Sequence, residues 1–360
     1  VSTSARQQEA DRASIAFHLA LTRIGAKTIA DALRLWTNVP PTRTAAVSAT
    51  WLRQAIHLVM TRRARARDLA MAYYRLARAL RTGRTVADPR RPEPRYVTLD
   101  MLRREFNALS GKPAAPEPND NEDQDQDQDQ EEDEGGRDDA NTAIEIEEGG
   151  EDAEADRILV EEIAALDRRE RERERAAEAE AKTALEQLGT GNLDRKLGKT
   201  DTSASGDDVD AARDQAHRKA GTRQAATAER IVLDGGRGQL WTLTETDRRV
   251  IGYARVSRSG TPCGWCAMLI SRGAVYRSRR SATHADGDRY HDNCHCYAEP
   301  LYSRQQMGSD LFDLNRQYAA DWPRVTRGLS GARALSAWRR HIRQQQRRAQ
   351  EARRTSVQEA

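Results

Sequence analysis

Apolar residues recur at helical spacing through most of the first hundred positions. Ile29, Leu33 and Trp36 stand at i, i+4 and i+7, as do Leu52, Ile56 and Val59. Leu69, Tyr73, Leu76 and Leu80 carry the same kind of stripe through one more turn. This recurrence turns one face of a 3.6-residue helix toward a core. Pro40–Pro41 separates the first helix from the second, because proline lacks the amide hydrogen and its predecessor avoids the α region. The basic run Thr61–Arg67 lies on a helix or at a short break. Gly83 supplies a stop, Pro89, Pro92 and Pro94 an extended segment, and Thr98–Leu109 a short helix. The pattern predicts an N-terminal helical bundle over residues 1–109.

Over residues 110–156 the periodicity is lost. Pro113, Pro116 and Pro118 lead into Asp125-Gln126-Asp127-Gln128-Asp129-Gln130 and then Glu131–Glu134. Such a stretch repels itself and has little apolar surface to bury, so it reads as a disordered acidic linker. The functional alternative is a mimic of nucleic-acid charge or a contact for a basic partner. From Arg157 the helical pattern returns with Leu159, Ile163 and Leu166. Arg168–Glu180 is then almost only Arg, Glu and Ala. Alternating Arg171 to Arg175 puts opposite charges at i+3 and like charges at i+4, so the pair energies largely cancel. That stretch reads as an exposed helix or arm. Gly189–Gly206 reads as a flexible break and Asp207–Arg230 as another polar helix, making 157–230 a long polar helical segment.

Residues 231–330 differ in kind. They hold all four cysteines, three of the seven histidines, and a modest apolar supply that includes Ile231, Leu240, Trp241, Tyr253, Met268 and Leu301. A small C-terminal α+β domain with a Cys/His cluster is the most economical fold for them. Residues 331–360 form a basic helical tail, within an arginine-rich stretch, Arg324–Arg354, that holds ten arginines and one acid, Glu351. The expected class is therefore mainly α.

Charge sharpens this division. The formal net charge is only +3, yet residues 117–156 contain 20 acidic side chains against one basic, Arg137. That tract carries −19, so the other 320 residues carry +22. The chain is a basic protein with a polyanion inserted in it. No window approaches the roughly 18–20 apolar residues of a membrane span, and no stretch reads as an export signal.

The cysteines supply the candidate chemistry. Cys263-Gly264-Trp265-Cys266 is followed, after 27 residues, by Cys294 and Cys296 within His291-Asp292-Asn293-Cys294-His295-Cys296. Four thiols confined to one short segment do not make a disulfide framework for a chain of this length. Zinc takes four ligands in a tetrahedron, and C-x2-C places two thiolates on one tight turn. Two of His291, Cys294 and Cys296 would complete the set. The competing readings are reduced thiols packing a small core, a C-x-x-C redox motif, and a Cys–His nucleophile pair.

Three stretches carry a resemblance. They are Arg255-Val256-Ser257 with Gly260-Thr261-Pro262-Cys263-Gly264-Trp265-Cys266-Ala267-Met268-Leu269, then Ser271-Arg272-Gly273-Ala274-Val275-Tyr276, then Tyr290-His291-Asp292-Asn293-Cys294-His295-Cys296 with Glu299-Pro300. Together they resemble the C-terminal part of MuF-like phage head morphogenesis proteins, especially those of tailed actinobacterial phages. The ending around Gly328-Leu329-Ser330-Gly331 and Trp338-Arg339-Arg340 is similar too, and Tyr73-Tyr74-Arg75 resembles the family's usual start. His295 departs from the family, which commonly has arginine there. The specific motifs cover roughly residues 231–342. The resemblance implies a minor capsid protein inside the virion head, reached from the host cytoplasm during assembly. Portal and major capsid proteins would be its partners.

The basic body suits non-specific contact with packaged DNA, with Arg333–Arg354 as the best surface. Related proteins are often labelled capsid maturation proteases, which makes processing of scaffold or major capsid protein the alternative activity. The chain holds no G-x-S-x-G and no H-E-x-x-H. No catalytic residue is expected from it. A structural zinc is the one expected cofactor.

Overall fold

The computed structural model describes residues 3–42, 44–88, 96–111, 143–146, 153–199, 206–245, 247–257, 262–276, 294 and 296–358. The proline segment 89–95 and the acid tract up to 142, together with the bulk of the loop that carries His291 and His295, lie outside them.

The chain opens with two long helices, α1 (Thr3–Trp36) and α2 (Ala45–Thr82). The prolines part them as expected. Thr44 caps α2 by accepting from the Val47 amide, and Gly83 stops it at a φ of 74°, a conformation that suits glycine best. The basic run Thr61–Arg67 is no break, since α2 runs through it for 38 residues. Beyond it come β1 (Arg84–Thr85), β2 (Tyr96–Thr98) and α3 (Leu99–Ser110), the last capped by Thr98.

The linker needs a correction at its end. Ala143–Ile146 forms strand β3, parallel to β1 and antiparallel to β2, with Val97 opposite Ile144. The alternation Ala143-Ile144-Glu145-Ile146 is the period of a half-buried strand, and Ile144 is buried. The disorder expected for the rest of the acid tract falls outside the described residues, apart from the few that open the next helix.

That helix is α4 (Ala153–Leu188), followed by α5 (Thr190–Leu197) and α6 (Gly206–Glu245). Two expectations change here. The Arg/Glu stretch of α4 is not a free arm: Arg63 of α2 donates to both oxygens of Glu174, and Arg67 pairs with Glu170 and Glu174. Part of the glycine break is helical too, because Leu193 of α5 is buried in the core.

α6 is continuous across position 230, and its Ile231, Val232 and Leu233 share one core with Phe17 and Leu21 of α1 and Val59, Leu69 and Tyr73 of α2. Small residues let the helices approach this closely. A Cβ on Gly236 would stand 2.9 Å from the Ala66 carbonyl oxygen. The polar helical segment and the small domain are thus joined through the interior of one helix.

The C-terminal unit follows. β4 (Gly252–Val256) pairs antiparallel with β5 (Tyr297–Leu301), with Val256 opposite Tyr297 and Gly252 opposite Leu301. Between them lies α7 (Gly264–Ser271), and after them α8 (Asp313–Val325) and α9 (Gly331–Gln358). A second core joins Trp241, Tyr253, Ile270, Tyr318, Trp338 and Ile342. α9 docks there through Ala334, Trp338 and Ile342, four residues apart, with Trp338 fully buried. The fold is mainly α, with few and short strands.

Candidate metal centre

The C-x2-C pair sits where α7 begins. Cys263 is the N-cap residue, in extended conformation, and its sulfur accepts from the Cys266 amide at 3.4 Å. An N-cap needs a side-chain acceptor, and the first turn of a helix favours negative charge. Cys294 and Cys296 arrive from the other side, just ahead of β5. The two approaches meet. Cys266 Sγ lies 3.5 Å from Cys294 Sγ and 3.2 Å from Cys296 Sγ, and Cys294 Sγ lies 3.1 Å from Cys296 Sγ.

These separations exceed the ~2.05 Å of a disulfide, and all four cysteines are free thiols. They approach the ~3.8 Å edge of a tetrahedron built on metal–sulfur bonds of ~2.3 Å. Cys266, Cys294 and Cys296 are buried and close enough together to hold a metal. Cys263 packs against this cluster and is only partly buried. His291 lies outside the described residues.

Two arginines that the spacing did not single out as site residues stand around the sulfurs. Arg255, from β4, donates to Cys296 Sγ at 2.8 Å. Arg237, from α6, donates to the Cys294 carbonyl oxygen. Both are buried. Their charges act on the thiols. Burial pushes Cys296 up, but hydrogen bonds from Cys266 and Cys294 and the charges of Arg255 and Arg237 outweigh it and hold the thiol well below its ordinary range.

Cys266 moves the other way, raised by its hydrogen bonds with Cys263, Cys294 and Cys296 and by burial. At Cys294 the bond with Cys266 pulls downward, while the bond with Cys296, burial and the Cys296 charge take it up to about 12. Cys296 is then the thiolate of the group, accepting hydrogen bonds through the thiol protons of Cys266 and Cys294. A bound metal would replace those protons.

A second polar cluster lies three residues along the same strand. Glu299 is buried where β5 meets α1 and α2. Tyr73 donates to both its oxygens at 2.7 Å, and Ser14 donates to one at 2.9 Å. The Ser14 hydroxyl also meets the Tyr297 hydroxyl at 2.5 Å. Burial raises the Glu299 carboxyl to about 7, against the downward pull of Tyr73, Arg81 and Ser14. This cluster ties the Cys-bearing unit to the N-terminal helices.

The sequence held a signal for part of this. A charged residue in the wholly buried strand Gly252–Val256 must have a partner, and Arg255 finds it in Cys296. Arg237 carried no such signal, since its own helix is polar nearly throughout.

Among curated proteins and among solved structures, none matches this chain. A family model described as "VG15 protein" matches residues 161–321, from within α4 to within α8, a span that includes all four cysteines. This phage-derived family covers less than half of the chain, and the match supports a phage protein.

Proposed function

We propose that this chain is a MuF-like minor protein of a phage head, with a structural zinc holding its C-terminal unit together. The observation that carries the reading is a coincidence of position. The family match 161–321 overlaps the Cys263–Pro300 motif block, and the sulfurs of that block converge in space. Cys263, Cys266, Cys294 and Cys296 would hold the zinc, with His291 as the alternative to Cys263. Four thiolates around zinc carry two negative charges, which suits the flanking arginines. The zinc would supply cross-linking of α7 to β5 and no reactive position.

Burial speaks for this role over the proteolytic one. Cys266, Cys294 and Cys296 are 3%, 4% and 1% exposed, so three of the four sulfurs are covered, and only Cys263 is partly exposed. Portal and major capsid proteins would be the neighbours in the capsid interior, with packaged DNA beside them.

Mass spectrometry of purified virions tests the head assignment: a few copies per particle are expected, and absence from particles would overturn it. Co-expression with the major capsid protein tests the proteolytic reading, which predicts clipping that Cys263→Ala abolishes. The structural reading predicts an intact capsid protein in both cases.

A further inference from the structure

Two of the arginine-rich runs in the sequence are treated differently by the structure. In the first, on α2, Arg62 pairs with Asp31 of α1, Arg63 with Glu174 of α4, and Arg67 with Glu170 and Glu174. Those charges are met inside the protein. The second run is on α9, which buries Ala334, Trp338 and Ile342.

At 100° per residue, Arg333, Arg340, Arg343, Arg347 and Arg354 fall within an arc of about 80° on the side opposite Trp338 and Ile342. All five are exposed. They span 21 residues of helix, roughly 31 Å. Ser336 shares their face, and Glu351 offsets one of the five charges.

We propose that this arginine row of α9 is a docking surface for the phosphate backbone of duplex DNA. A docked helix that turns its polar face outward needs only solubility, which mixed charges supply. Five arginines in one row against a single acid do more, because they place a line of cations at the length of about one duplex turn. Arginine forms paired hydrogen bonds to phosphate oxygens, and each phosphate neutralised releases condensed counterions.

Duplex DNA fits the row better than an acidic protein does, because the row's face is free of apolar side chains. Its residues are Arg, Ser and Glu. With no base-reading arrangement, contact is independent of sequence. The inference rests on the head reading for its biological setting, but not for its chemistry.

The test uses the full chain and a 30-base-pair duplex of arbitrary sequence, followed by fluorescence anisotropy between 50 and 200 mM NaCl. The test variant replaces Arg333, Arg340, Arg343, Arg347 and Arg354 with glutamine, which keeps helix propensity. A charge-matched control replaces the exposed Arg171, Arg175, Arg213, Arg218 and Arg223 instead. Circular dichroism and thermal melting confirm that both variants fold.

The expected result is binding by the wild type with a salt slope that drops by about 4 in the row variant, from about 0.9 per phosphate contact. The control keeps the wild-type slope. Equal loss in both variants, an unchanged slope in the row variant, or no wild-type binding at 50 mM salt would each overturn the proposal. Absence from virions alongside the expected slopes would instead remove the head reading and leave the DNA surface standing.

Discussion

Strand β5 and the residues just before it bear two buried anionic sites three residues apart, and their environments push them in opposite directions. Cys296 faces two arginines, and its thiol is held far down. Glu299 meets chiefly neutral hydroxyls from Tyr73 and Ser14, and burial takes its carboxyl up to about 7. Burial alone disfavours the charged form at both. The difference is that Cys296 has two thiol hydrogen bonds and then two arginines to outweigh its burial, while the hydroxyls and Arg81 do not outweigh that of Glu299.

The sulfur pocket gathers several anionic ligands and keeps arginines to balance them, as a cation site does. The carboxylate pocket holds one acid that neutral donors and a proton can satisfy. The first pins the Cys-bearing unit to itself, and the second pins it to α1 and α2.

The largest way to break this contrast is to remove a sulfur. Cys266→Ser leaves the remaining thiols without the ligand that touches each of them. Structural zinc in small domains contributes on the order of 10 kcal/mol of folding free energy. Zinc content should fall below about a tenth of an equivalent, and the C-terminal unit should lose its cooperative melt, read by elemental analysis and calorimetry.

Glu299→Gln tests the other pocket and has a definite sign. The folded carboxyl is raised above its unfolded value, so its favourable contribution is full below about 4.5 and is lost as pH rises through about 7. The Glu299 contribution to wild-type stability should fall by up to about 3 kcal/mol across that window, taking 1.36 kcal/mol per unit. Asp234, raised by burial from 3.8 to about 6, adds a change of the same sign and similar size. Denaturant titrations at several pH values should show about half of the combined fall removed in the glutamine variant.

Arg255→Met probes the guanidinium that bonds a sulfur directly, where Glu299 has only the more distant Arg81, itself paired with Asp11. Partners around a metal site are worth about 10–100-fold in affinity, so competition against a zinc chelator should shift by that factor while one equivalent still binds. The smallest effect belongs to Tyr73→Phe. It removes one donor from Glu299 and should cost about 1 kcal/mol. It should also move the upper end of the stability fall to higher pH, because the Tyr73 bond pulls the carboxyl down.

Local signals in the sequence were enough for the breaks and caps. Pro40–Pro41, Gly83 and the apolar stripe Leu69, Tyr73, Leu76 and Leu80 act through neighbours within a turn or two. What escaped depends on distant partners. The run Thr61–Arg67 is ambiguous by itself and becomes continuous helix where Glu170 and Glu174, a hundred residues on, meet its arginines.

Gly235 and Gly236 look like punctuation, yet they sit mid-helix because α2 crosses there, against Arg63 and Ala66. Ile144 shows as a strand residue once β1 and β2 bracket it. At the candidate site the four cysteines were legible from spacing alone. That Cys294 and Cys296 both join Cys266 was not, since spacing left three candidates for two places.

Elemental analysis of the purified chain, alongside its Cys263→Ser and His291→Ala variants, tests the central claim most directly. The account predicts one zinc per wild-type chain, one in His291→Ala, and loss or at least tenfold weaker retention in Cys263→Ser. Less than about half an equivalent in the wild type, with the melt unchanged by chelator, would contradict it.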